Sequence, residues 1–200
     1  MTHSVLLITC GALAREMVEL VRSNKWSHVK IQCLPANLHH TPARIPRAVE
    51  DMIESNKDRY RHIFIGYADC GTGGELDDVA ERHGVERLAG AHCYEFLAGS
   101  SVFAKLSDEE PGTFYLTDFL VRHFDRFVKA GLGIDRHPEL LPLYFGNYKR
   151  VVYLTQNPTE KLRDMAMTHA EYLGLDYEER ATGMEPLSKM MTEQAVQWRN

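Results

Sequence analysis

Three of the four cysteines in this 200-residue chain follow short apolar runs and stand close to glycine. Cys10 and Cys70 are each followed directly by a glycine, and Cys93 comes three residues after one. Thiolates bind zinc and iron–sulfur clusters, and they also act as nucleophiles. Ligands of open parallel sheets collect at the carboxyl ends of the strands. We therefore expect Cys10, Cys70 and Cys93 to share one metal, with sulfur atoms within roughly 4 Å of one another.

The competing interpretation of a free cysteine is a small buried hydrophobic residue. Cys33 lies within an apolar run between Gln32 and Leu34, with no glycine beside it, and is predicted to be such a core residue. For the other three cysteines both interpretations stay open, because their spacing is dispersed and lacks a paired C-x-x-C signature.

The fourth position of a three-thiolate site takes a histidine, water or substrate. His39 and His40 lie on a polar, proline-bounded segment after the second apolar run, and His39 is the predicted fourth ligand. A loop histidine is otherwise usually solvated. His92 is expected to miss the site, because neighbours on an extended segment point in opposite directions.

The residues around Cys70 predict further functions. Asp69 is a candidate general base or hydrogen-bond partner of a ligand, and Tyr67 is a second candidate catalytic residue beside the same loop. A segment of small residues that follows is predicted to bind the carboxylate or phosphate of a cofactor through its backbone N–H groups: Gly71, Thr72, Gly73 and Gly74. It matches neither a Walker loop nor a dinucleotide fingerprint. A tight strand-to-helix turn explains it equally well.

The elements that must position these residues alternate between apolar runs and amphipathic helices. Strands are predicted over residues 5–9, 29–34, 62–67, 86–88, 150–155 and 175–180. Helices are predicted over residues 12–23, 44–57 and 75–83, with a further helix ending near residue 173. This alternation favours an α/β fold, a mostly parallel sheet with helices on both faces in a Rossmann-like arrangement.

One stretch departs from the alternation. Residues 95–148 are rich in aromatic side chains and contain no convincing strand, which predicts a helical insertion or cap packed on the sheet. No low-complexity linker interrupts the chain, and 200 residues with 44% hydrophobic content suit one compact domain over residues 1–200.

The composition excludes several classes of partner. A net charge of −5 gives no basic footprint for nucleic acid or for an anionic membrane surface. No segment approaches the roughly 18 apolar residues that span a bilayer, and the first apolar run lacks the basic stretch of a signal peptide. We expect a cytoplasmic protein with reduced thiols.

Three motifs resemble those of a bacterial and archaeal family catalogued as domain of unknown function 1638. They are Thr9-Cys10-Gly11, Gly66-Tyr67-Ala68-Asp69-Cys70-Gly71 and His92-Cys93-Tyr94-Glu95, and the resemblance covers nearly the whole chain. Members are often encoded beside corrinoid-dependent methyltransferases. The resemblance therefore implies methyl or one-carbon metabolism, a small-molecule substrate, and a corrinoid protein or methyltransferase as partner, without assigning a reaction.

The leading hypothesis is a metal-dependent methyl- or one-carbon transferase whose cofactor is zinc or an iron–sulfur cluster. The alternative is a non-catalytic metal-binding or accessory protein of a corrinoid methyltransferase system. The chain lacks the D-x-H-x-x-G pattern of corrinoid-carrying domains, which disfavours direct base-off corrinoid binding. A metal-free structural or regulatory domain is the third hypothesis.

Overall fold

A computed structural model describes residues 4–197 of the chain. The described strands are β1 (Val5–Cys10), β2 (Val29–Leu34), β3 (His62–Gly66), β4 (Glu86–Arg87), β5 (Thr113–Thr117), β6 (Arg150–Thr155) and β7 (Asp176–Ala181). The described α-helices are α1 (Ala14–Ser23), α2 (Ile45–Glu54), α3 (Glu75–His83), α4 (Cys93–Ala98), α5 (Ser100–Glu109), α6 (Asp118–Arg122), α7 (Leu141–Phe145), α8 (Glu160–Leu173) and α9 (Glu185–Gln197). The described residues divide into two compact units, unit 1 with residues 4–93 and 188–197 and unit 2 with residues 94–187.

Unit 1 is built on a four-stranded parallel sheet with strand order β2-β1-β3-β4. All six residues of β1 are buried, as expected for a central parallel strand covered on both faces. Residues Val5 to Thr9 pair in register with β2 on one side and with β3 on the other. The carboxyl ends of these three strands therefore lie side by side, and the segments that follow them begin at one edge of the sheet.

Two turns at this edge place the candidate residues. A 3-10 turn, Gly11–Leu13, follows β1 directly, and a second 3-10 segment, Ala36–His40, follows β2. A side chain on Gly11 would approach the carbonyl oxygen of Leu34 to 3.0 Å and the amide nitrogen of Ala36 to 3.4 Å. Glycine at position 11 thus lets the segment that carries His39 pack closely against the end of β1.

Unit 2 contains a second parallel sheet with strand order β5-β6-β7. Alternate residues of its strands belong to two separate apolar clusters, as the period of two in a strand requires. Leu116, Val151 and Tyr153 pack with residues of α6 and α8, whereas Tyr115 and Val152 pack with Ala98 and Leu106. Helical segments thus cover both faces of this sheet.

The predicted α/β class with parallel strands is confirmed, although the described strands form two sheets instead of one. The expectation that residues 95–148 hold no strand is wrong, because β5 lies there and pairs with β6. Its aromatic residues pack on both faces of a sheet, which a helical interpretation of the sequence does not anticipate. The single domain, the insertion over 95–148 and the Rossmann-like arrangement stay predictions.

Among residues 4–197, no helix combines the length and the apolar character needed to cross a bilayer.

Candidate metal centre

Three potential ligands of one metal ion meet at the carboxyl edge of the sheet in unit 1. A ring nitrogen of His39 and the sulfur atoms of Cys70 and Cys93 all lie within 4.8 Å of one another. Both cysteines are buried, and His39 is partly buried. A tetrahedral zinc ion with Zn–S bonds of about 2.3 Å needs ligand atoms roughly 4 Å apart, which the upper bound of 4.8 Å allows. The group could therefore hold a metal ion.

Cys10 lies beside this group and contacts it through His39. Its Sγ atom is 3.8 Å from Nδ1 of His39, and it accepts a hydrogen bond from the backbone N–H of Ala12 at 3.3 Å. Cys10 is 1% exposed. The four residues predicted as metal ligands lie near one another, but the expectation that the three cysteine sulfurs lie within roughly 4 Å of one another is wrong for Cys10, which is outside the set whose atoms are mutually within 4.8 Å.

The second ring nitrogen of His39 is one of several buried polar atoms for which the described residues supply no hydrogen-bond partner. Nε2 is buried and has no hydrogen-bond partner among the residues that the structure describes. Leaving a buried polar atom unpaired is costly, so such an atom in a native protein requires an explanation, and a bound ion is one of the common ones. A metal ligated by Nε2 would satisfy this nitrogen.

The electrostatics of the group are those of a cation site. The adjacent Cys93 thiol and, despite the opposing effect of burial, the nearby His39 ring lower the pKa of Cys70 to about 4. The neighbouring Cys70 sulfur and burial raise the pKa of Cys93 well above its usual value. Burial acts to lower the pKa of His39, but the nearby sulfur atoms of Cys10 and Cys70 outweigh it and raise that pKa to about 10. A bound metal cation would displace the protons that these three side chains share.

Tyr67, predicted as catalytic, lies next to the four candidate ligands. Its ring stacks on His39 with centroids 6.3 Å apart and an interplanar angle of 29°. The side chain is 1% exposed, and its hydroxyl has no hydrogen-bond partner among the described residues. Burial, reinforced by the nearby Cys10 sulfur, raises the pKa of Tyr67. The hydroxyl therefore stays protonated and is able to donate a hydrogen bond.

Asp69 and the glycine-rich loop bind each other. The carboxylate of Asp69 accepts hydrogen bonds from the backbone N–H groups of Gly71, Gly73 and Gly74 and from the Thr72 hydroxyl. These bonds, led by the one from Gly74, lower the pKa of Asp69. The chain's own carboxylate thus already lies where the loop was expected to hold the anionic group of a ligand. Binding of a cofactor by this loop, and catalysis by Asp69 and Tyr67, stay predictions.

The expectation that Cys33 is a core residue is wrong, because this cysteine is exposed. Its strand, β2, lies at the edge of the sheet. An edge strand has a neighbouring strand on one side alone, so its side chains can be exposed even where the sequence is apolar.

His92 is not among the three residues whose ligand atoms are mutually within 4.8 Å, as expected, but the reason given for this expectation is wrong, because His92 lies beside Cys93. Nδ1 of His92 is 3.7 Å from Sγ of Cys93. Cys93 is the first residue of α4, so the two neighbours do not lie on one extended segment. The prediction assumes that side chains alternate as they do along a strand, and it cannot anticipate that a helix begins at Cys93.

A cavity of about 440 Å³ lies away from these residues, at the amino end of β3. Its lining contains none of the residues predicted from the sequence as catalytic, cofactor-binding or metal-binding, and includes Lys57, Tyr60, Arg61, His62 and His83. Lys57 is paired with Glu54, and His83 lies 3.3 Å from both Glu50 and Glu54.

The fold and the cluster together define an α/β protein with a buried imidazole–thiol group at the carboxyl edge of a parallel sheet. The family described as "Protein of unknown function (DUF1638)" matches residues 33–191, and the chain belongs to this family. No curated protein and no solved structure matches the chain. The family description names no activity, so the chemistry has to be argued from the site itself.

Proposed function

We propose that this protein binds one zinc ion through His39, Cys70 and Cys93 and keeps one coordination position open. The observation that carries the proposal is the set of three ligand atoms within 4.8 Å of one another, on two buried cysteines and a partly buried histidine. Three protein ligands with an open fourth position are typical of catalytic zinc, whereas structural zinc is closed by four.

The donor set favours zinc over an iron–sulfur cluster. Two thiolates and one imidazole are borderline-soft donors that suit Zn²⁺. In a [4Fe–4S] cluster each cysteine binds its own iron, so the sulfur atoms stand farther apart than ligands of a single ion, and a [2Fe–2S] cluster needs a pair of ligands on each of two irons. Ligand atoms within 4.8 Å of one another fit a single ion better.

Cys10 fits the role of a partner that fixes the histidine. Metal-binding histidines commonly donate the N–H of their other ring nitrogen to a nearby acceptor, which sets the tautomer and the ring orientation. With Nδ1–H donated to the Cys10 sulfur at 3.8 Å, the unpaired Nε2 is the nitrogen available to the metal.

The reaction we propose is methyl transfer to a small-molecule thiol. Zinc lowers the pKa of a thiol bound at the open position. The acceptor's thiolate, formed by loss of the thiol proton to solvent, would attack the methyl group of a methyl-corrinoid donor, forming the C–S bond while the electron pair of the C–Co bond stays on cobalt. Tyr67 would donate a hydrogen bond to a group bound beside it, and its burial would help to exclude water. The donor set supports this proposal, as does the association implied by the family resemblance.

One observation favours a non-catalytic alternative. Cys10 Sγ lies 3.8 Å from Nδ1 of His39, so a metal ion bound at Nδ1 instead of Nε2 would have Cys10 within reach as a fourth ligand, which would give a closed set of three thiolates and one imidazole. A closed site would make the protein a zinc-binding or accessory component of such a methyl-transfer system and would leave no position for a thiol acceptor.

The test begins with the zinc and iron content of anaerobically purified protein. We expect one zinc per chain in the wild type, loss of zinc in Cys70→Ala, and full zinc in the matched control Cys33→Ala. Protein without stoichiometric metal, or equal loss in both variants, would overturn the metal centre.

Cobalt(II) substitution separates the two functions. For an open site, addition of a small thiol should change the visible cobalt spectrum, and the zinc protein should produce a thioether from methylcobalamin and that thiol. An unchanged cobalt spectrum together with no methyl transfer would contradict the catalytic proposal and support the closed, accessory site.

A further inference from the structure

Cys70 has a backbone conformation that needs support. Its φ angle is +51°, and Lys25 is the other described non-glycine residue with a positive φ. Side chains other than glycine rarely adopt this region, and residues that do so persist where surrounding contacts hold them. Cys70 is also one of the three residues of the proposed zinc site.

The carboxylate of Asp69 provides such contacts on one side of Cys70. Oδ1 accepts hydrogen bonds from the Thr72 hydroxyl and the N–H of Gly74, both at 2.8 Å. Oδ2 accepts hydrogen bonds from the N–H groups of Gly71 at 3.1 Å and Gly73 at 3.2 Å. One side chain thus binds four successive residues of the loop that follows the cysteine.

Backbone hydrogen bonds tie the same segment to the chain that leads into Cys93. The N–H of Asp69 donates to the carbonyl oxygen of Gly90, and the N–H of Cys70 donates to that of Ala91, both at 3.0 Å. The positions of the two cysteines are therefore coupled through a short bridge. The Asp69 carboxylate binds residues 71–74, which take no part in these two backbone hydrogen bonds.

We infer that Asp69 is a positioning residue of the metal centre, whose carboxylate holds the 71–74 loop so that the Cys70 sulfur faces Cys93 and His39. This inference rests on the proposed zinc site and assigns Asp69 a role different from general base. A carboxylate that already accepts four hydrogen bonds is poorly placed to take a proton from a substrate.

The test compares Asp69→Ala, Asp69→Asn and the control Asp78→Asn, which removes an exposed carboxylate from α3. Zinc affinity is measured by competition with a chromophoric chelator. We expect Asp69→Ala to weaken zinc binding by about tenfold to a hundredfold, as removal of groups that orient metal ligands commonly does. Asp69→Asn keeps one acceptor oxygen and should recover part of this loss, while Asp78→Asn should match the wild type.

Two further measurements distinguish positioning from a general loss of folding. Metal-free Asp69→Ala should keep its circular dichroism and cooperative unfolding, whereas its cobalt(II) derivative should show weaker sulfur-to-metal charge-transfer absorption. Wild-type zinc affinity and cobalt absorption in Asp69→Ala would overturn the inference. So would a parallel loss of folding in Asp69→Asn and Asp69→Ala.

If the wild type binds no zinc, the proposed function is refuted, but the role of Asp69 in placing the Cys70 sulfur beside Cys93 can still be tested. In metal-free protein with Cys10→Ser and Cys33→Ser, glutathione disulfide can oxidise Cys70 and Cys93 to a disulfide, releasing two molecules of reduced glutathione. We expect this disulfide to form at least several-fold more slowly after Asp69→Ala, because the two sulfur atoms are less well juxtaposed. Equal rates would overturn the positioning role.

Discussion

Sγ of Cys10 and Nδ1 of His39 lie 3.8 Å apart, while Nε2 of the same ring is buried without a hydrogen-bond partner among the described residues. Because Nδ1 contacts the Cys10 thiol and Nε2 is unpaired, we expect His39 to bind a metal through Nε2. Cys10→Ala should therefore lower zinc affinity by about tenfold to a hundredfold but leave one zinc per chain at saturating metal.

Chelator competition and metal analysis check this prediction, with Cys10→Ser as a companion variant that keeps an acceptor for the ring N–H. If Cys10→Ala abolished zinc binding as completely as Cys70→Ala, Cys10 would be a direct ligand and the site would be closed.

Cys33 should behave as a surface thiol. Because it is exposed on the edge strand β2, Cys33→Ala should change the free energy of unfolding by less than about 0.5 kcal/mol and leave the zinc content unchanged. Denaturant titration and metal analysis measure both quantities. A loss of about 2 kcal/mol or more, roughly what removing a buried side chain costs, would show that the residue is covered in solution.

Asp118 should be a main stabilising polar residue of unit 2. It is 2% exposed and accepts hydrogen bonds from the Tyr153 hydroxyl at 2.7 Å and from the backbone N–H groups of Gln156 and Asn157. Asp118→Ala leaves these donors without their acceptor, which should cost about 3 kcal/mol of unfolding free energy.

Chemical denaturation of Asp118→Ala, Tyr153→Phe and the exposed control Asp176→Ala provides the comparison. Tyr153→Phe removes a single donor and should cost about 1 kcal/mol, and Asp176→Ala should be neutral. A neutral Asp118→Ala would contradict the role assigned to this carboxylate.

His169 should make unit 2 less stable in mild acid. Its ring stacks on Phe124 with centroids 4.0 Å apart, and Nε2 lies 3.0 Å from the carbonyl oxygen of Val121. Burial lowers the pKa of His169, partly opposed by its contact with that carbonyl oxygen and by Asp125. The unfolded chain therefore binds a proton at higher pH than the folded chain does, so the contribution of His169 is complete above about pH 6.5 and is lost as the pH falls towards the lowered value.

Unfolding midpoints at pH 7.5 and pH 5.5 test this prediction, with His169→Gln as the variant that cannot titrate. The wild type should lose more stability between the two pH values than the variant does. An equal loss would mean that other groups account for the acid sensitivity.

The parts of the fold that the sequence could predict are those in which local pattern and final environment agree. The uninterrupted apolar run of β1 predicts a central strand, and the apolar periodicity and flanking glycines of α3 predict a helix over residues 75–83, as the structure has it. The sequence does not predict β5, because its aromatic residues also fit a helical stretch. Pro111 and Gly112 before it, and Thr117 as the cap of α6 after it, were the available signals.

The candidate site was predictable to a similar extent. Strand-end position was enough to group Cys10 with Cys70, since parallel strands end at one edge of a sheet. The positive φ of Cys70, the binding of the loop by Asp69 and the contact of His92 with Cys93 depend on three-dimensional turns that no spacing rule encodes. The exposure of Cys33 depends on which strand lies at the edge, and that is decided by topology.

His39, Cys70 and Cys93 come from three separate connections of unit 1, and no two of them are near neighbours in sequence. The unfolded chain therefore offers a metal ion no local chelate, in contrast to zinc fingers, whose ligand pairs are closely spaced. Folding would have to come first and metal capture second, with the ion linking connections that only the finished sheet brings together. Because binding would then be confined to the native state, free zinc at about a thousand times its dissociation constant would add about 4 kcal/mol to the free energy of unfolding.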